Sequence, residues 1–173
     1  STGVRTGLAF AAANHWYEPR TRAAAMQLFE RLAPIADETT AAALMHIFLW
    51  TTDCPADIAT TRTLQLIIDH PPLLLASPHY HFVEKLTSLL SIERDLVCQI
   101  TELIVADMKR PRVGEGRWDS LIESELIDIS LRLQRSGSGY RSRGLTLFED
   151  VLALGLPHAQ EALDKLDRRL LVK

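Results

Sequence analysis

The eight prolines of this chain, Pro19, Pro34, Pro55, Pro71, Pro72, Pro78, Pro111 and Pro157, all fall between stretches whose apolar residues recur with the helical period. Proline lacks a backbone donor and clashes with the preceding helical turn, so it collects at helix starts and in connections. Its placement therefore divides the 173 residues into about nine short helices and leaves no room for a long one. The expected spans are Val4 to Tyr17, Arg20 to Leu32, Glu38 to Thr51, Ala56 to His70, Pro78 to Ser91, Glu93 to Lys109, Trp118 to Arg135 and Arg141 to Leu154, with a last helix opened by Pro157. No hairpin signal for strands is present, and only Leu64 to Ile68 has a β-branched flavour.

The final pair shows the logic best. Leu145, Phe148, Val151 and Leu152 form one stripe, Gly155 suits the left-handed cap, and Pro157 suits the first turn of the helix that follows. Ala159, Ala162, Leu163, Leu166 and Leu170 share a face of that helix, while Glu161 with Lys165 and Asp164 with Arg168 make outward pairs four residues apart. Neither helix can bury its stripe alone, so each hairpin must pack on another layer. The starts at Glu38, Pro78 and Trp118 are each 40 residues apart, the size of a HEAT-type helical pair. The expectation is one all-α domain over residues 1–173, a HEAT-like α-solenoid of stacked antiparallel hairpins, with an irregular helical bundle as the competing arrangement. A first helix that starts at once, without methionine or a capping segment, reads as a piece of a longer protein.

A 47% apolar content suffices for a sizeable core. The net charge of −3, from 19 basic and 22 acidic residues, argues against a dedicated nucleic-acid or anionic-membrane binder. The charge is unevenly spread: residues 4–108 carry seven basic and twelve acidic side chains, residues 109–143 eight and five. Cys54 and Cys98 have neither partner spacing nor a ligand motif, so the chain reads as cytoplasmic, without disulfide or zinc site. No apolar run is long enough for a membrane span.

Catalytic signatures are missing. His79, Tyr80 and His81 form the one histidine cluster, but residues two apart on a helix diverge too far to share a metal. The acidic pairs Glu123 with Glu125, Glu149 with Asp150, and Asp164 with Asp167 read as solvated outer faces rather than acid/base partners. Gly114 and Gly116 lack the third glycine and the lysine of a phosphate loop. The chain is therefore expected to be no enzyme and to carry no cofactor or metal. Trp16, Trp50 and Trp118 read first as packing residues.

Two connectors stand out. Residues 109–117 combine Pro111, two glycines and four cations, and residues 136–140 have the composition of a flexible loop. Together they nominate a partner-binding band of Lys109, Arg110, Arg112, Arg117, Trp118, Arg135, Tyr140, Arg141 and Arg143. Such a band serves a protein partner or, as the alternative, salt-dependent phosphate contact with nucleic acid. Helix-end charges account for Arg132 and Arg135 equally well.

The run Arg141-Ser142-Arg143-Gly144-Leu145-Thr146-Leu147-Phe148-Glu149-Asp150-Val151-Leu152, with Gly155 and the Ala159 to Arg168 segment behind it, resembles the closing hairpin of the C-terminal helical-repeat region of large bacterial P-loop ATPases of the STAND or NACHT-like type. Several members serve in antiphage defence. The resemblance implies a sensor or scaffold whose engagement with a protein partner alters an ATPase core elsewhere in a longer chain. A structural or oligomerisation spacer is the third reading.

Overall fold

The computed structural model describes residues 2–50, 58–71, 80–110, 119–155, 157–161 and 163–164, the side chains of 46–50, 58–60, 80–81 and 119–121 excepted. Every regular element among them is helical, and no strand occurs among the described residues. The elements are α1 (Thr2–His15), α2 (Arg22–Leu32), a 3-10 turn (Ala33–Ile35), α3 (Glu38–Trp50), α4 (Ile58–Asp69), α5 (Tyr80–Leu89), α6 (Arg94–Met108), α7 (Asp119–Arg135) and α8 (Ser138–Ala153). A closing helical segment covers 157–161 and 163–164. The chain forms two compact units, residues 1–77 and 78–173.

Proline punctuation holds wherever it is described. Pro19 lies in the turn between α1 and α2, Pro34 in the 3-10 turn, Pro71 beyond α4, and Pro157 at the first helical position of the closing segment. Gly155 takes φ +68°, the left-handed cap expected of it. Leu64 to Ile68 is helical despite its β-branched content. Pro55, Pro72, Pro78, Pro111 and Cys54 lie outside the described residues, as does His79.

In the first unit an alanine-rich face of α1 (Ala9, Ala12 and Ala13) brings the helix close to α2 and α3, whose Ala25, Phe29, Leu32, Ala41 and Leu44 complete the core with Leu66 of α4. Trp16 is buried and meets Phe29 edge-on with ring centroids 6.1 Å apart, so this tryptophan is a packing residue. The end of α1 is closed from outside: the Arg22 Nε–H donates to the Trp16 carbonyl at 3.0 Å and the Thr21 hydroxyl to the His15 carbonyl at 2.8 Å. Asp37 caps α3, its Oδ1 accepting from the Thr40 amide at 2.9 Å and the Thr40 hydroxyl at 2.7 Å.

In the second unit α7 is the central helix. It packs along α8 and against α5, and α6 lies against α8. Ile122, Leu126, Ile129 and Leu133 of α7 are fully buried beside Leu86 and Leu89 of α5, Ile100 of α6, and Leu147, Phe148 and Val151 of α8. The buried hydroxyls of Thr101 and Ser130 donate to carbonyls of their own helices at 2.7 Å, so neither is orphaned.

Three expectations change here. The flexible loop at 136–140 is in fact a two-residue turn: Gly137 at φ 110° reverses the chain, and Ser138, Gly139 and Tyr140 already belong to α8. The buried stripe of α8 is Gly144, Leu147, Phe148 and Val151, and Leu145 is exposed. Glycine was passed over as a core position, yet a Cβ on Gly144 would stand 2.7 Å from the Ser130 carbonyl oxygen, so its bare Cα lets α8 approach α7. Glu123, expected on a solvated face, is completely buried.

Candidate interaction surface

The nominated basic band divides into engaged and open side chains. Arg112, Arg117 and Trp118 lie outside the described residues. Lys109 pairs with Asp150 across α6 and α8. Arg143 grips Glu102 with two nitrogens, Nε to Oε1 at 2.8 Å and a terminal nitrogen to Oε2 at 2.7 Å. The Tyr140 hydroxyl donates to Asp95 Oδ1 at 2.7 Å, and the Arg94 guanidinium sits 5.3 Å from the Tyr140 ring centroid.

These contacts form an ordered seam. Asp95, Glu102 and Lys109 recur every seven residues along α6, and Arg143 and Asp150 do the same along α8. The partners are met in the same chain order, so α6 and α8 run parallel, joined by one hydrogen bond from the neutral Tyr140 phenol and two ion pairs at Arg143 and Lys109. The Arg143–Glu102 fork is the most specific of them, but with both side chains about a third exposed it contributes no more than about 1 kcal/mol. Glu102 reaches inward as well: the Cys98 thiol lies 3.7 Å from its Oε1. Burial first, and then the Glu102 charge, push this thiol up to about 12, so Cys98 stays protonated at neutral pH. The hydrogen bond to Asp95 likewise pushes the Tyr140 phenol above its ordinary range. Arg143 is raised too, chiefly by its hydrogen bonds to Glu102.

Arg110, Arg135 and Arg141 remain exposed. Arg110 has a local neighbour in Asp107, three residues earlier, at 3.9 Å, while Arg135 and Arg141 flank the Gly137 turn with no ion-pair partner among the described residues. Arg132, outside the nominated band, pairs with Asp128 at 2.8 Å.

Glu123 is the residue that sequence reasoning missed. From α7 its Oε1 accepts the Ala159 amide at 2.6 Å, in the first turn of the closing segment, and both residues are fully buried. Leu156, immediately before Pro157, has no side-chain acceptor, and Pro157 has no amide hydrogen. A distant helix thus supplies the cap that the local sequence cannot. Among the described residues Glu123 Oε2 is buried with no hydrogen-bond partner.

The first unit offers a different kind of surface. On the side of α1 turned away from its alanine face stand Gly3, Val4, Gly7, Leu8, Phe10 and Asn14, none of them charged. Val4 is 61% exposed and Leu8 42%, and a Cβ added at Gly3 or Gly7 would meet nothing within 4 Å. The one cation of α1, Arg5, turns toward the 3-10 turn and α3, donating to the Ile35 carbonyl at 3.1 Å and lying 3.9 Å from Asp37. Surface helices usually carry charge on the solvent side, and this one does not. The signal was present in the order Gly3-Val4-Arg5-Thr6-Gly7-Leu8, where the glycines and the apolar residues each recur at four-residue spacing and so share one side of the helix.

Among the described residues no group of three His, Cys, Asp or Glu side chains is placed to hold a metal ion, and no helix is long and apolar enough to cross a membrane. No family model, no curated protein and no solved structure matches this chain.

Proposed function

We propose that this chain is a non-catalytic protein-interaction scaffold, a stack of helical hairpins that presents a helix face to a partner. The observation that carries the reading is the uncharged outer side of α1, where Val4 and Leu8 stand in water beside two glycines with open space above them. A partner helix can approach such a face closely, because nothing larger than hydrogen intervenes at Gly3 and Gly7. The nucleic-acid alternative has less support: Lys109 and Arg143 are committed to carboxylates, which leaves Arg110, Arg135 and Arg141 as the exposed described cations of the band. The role as the sensor part of a defence ATPase rests on the likeness of the Arg141 to Leu152 run, and in that role partner binding would favour one state of the ATPase core.

The test is a binding comparison between the native chain and Leu8→Glu, with Arg135→Glu/Arg141→Glu as the second arm. The scaffold reading expects a saturable protein partner, recovered from the source cell, whose binding is lost on Leu8→Glu at unchanged helicity and retained in the arginine variant. Retention in Leu8→Glu and loss in the arginine variant, with steep salt dependence on generic DNA or RNA, would replace it with the nucleic-acid reading.

A further inference from the structure

We draw no further inference here: the strongest candidate, the uncharged outer face of α1 with Val4 and Leu8 exposed beside Gly3 and Gly7, is the surface on which the proposed function already rests, and nothing in the structure shows what covers it.

Discussion

Replacing Gly144 with alanine sets two backbone effects against each other, and the structure decides the sign. Alanine in a helix interior is favoured over glycine by about 1 kcal/mol. At Gly144, however, the new Cβ would lie 2.7 Å from the Gln134 amide nitrogen, 2.7 Å from the Ser130 carbonyl oxygen and 2.9 Å from the Leu133 Cβ. Two of these are backbone atoms of α7 and cannot swing aside, so the helices must separate and carry Leu147, Phe148 and Val151 with them. Overpacking costs about 1–3 kcal/mol, with the upper end expected where backbone must move. The net loss is about 2 kcal/mol, or roughly 10 °C in Tm for a unit of this size. Gly7 is the control: it lies inside α1 with nothing within 4 Å of a Cβ, so Gly7→Ala should stabilise by about 0.5–1 kcal/mol. Urea unfolding followed by circular dichroism reads both shifts, and amide exchange at Val151 and Ala9 assigns each to its unit. A Gly144→Ala chain as stable as the native one, or more so, would show that α7 and α8 do not meet through this glycine.

The remaining predictions concern the polar contacts. The Cys98 thiol, pushed up to about 12 by burial and Glu102, should resist a disulfide reagent at about pH 8 in the folded chain and react promptly in denaturant, with mass spectrometry locating the label. Rapid labelling of Cys98 in the native state would contradict its burial. Asp37 is held below the usual carboxylate range, first by the Thr40 hydroxyl and then by the Thr40 amide. Because its folded value is depressed, its contribution is present above the unfolded carboxylate value and is lost as pH falls through the folded one. Thermal unfolding of the native chain and Asp37→Asn should therefore differ at about pH 5 and converge toward about pH 2. Arg143→Lys should lose the two-nitrogen grip on Glu102 and about 0.5–1 kcal/mol of stability, and Glu102→Gln should add little further loss in the double variant. Full additivity in that cycle would mean the pair is not coupled.

What the sequence made legible was local. Proline and glycine act on the residues beside them, so Pro19, Pro34, Pro71, Gly155 and Pro157 marked helix ends that the structure places where expected. Gly137 was misread for the same local reason: in a run of serine and glycine it suggests a loop, whereas one residue at φ 110° suffices to turn the chain and start α8 at once. Glu123 was illegible because its partner amide lies 36 positions away, and a Glu-Ser-Glu run carries no mark of burial.

Part of the basic band is paired within the fold, and charge read along one strip of sequence does not show carboxylates that come from elsewhere. Asp95 and Glu102 on α6 and Asp150 on α8 all lie outside that strip, and in three dimensions they meet Tyr140, Arg143 and Lys109 one for one. The seven-residue spacing of Asp95, Glu102 and Lys109, matched by Arg143 and Asp150, was the available signal, and it points to two helices lying side by side rather than to a ligand. Charges already paired across two helices are less available to an outside ligand than unpaired ones. The face of α1 is the converse case: it carries no charge, a Cβ added at Gly3 or Gly7 would meet nothing within 4 Å, and Val4 and Leu8 are exposed. An exposed apolar helix side without charge is the surface on which the interaction reading proposed above rests.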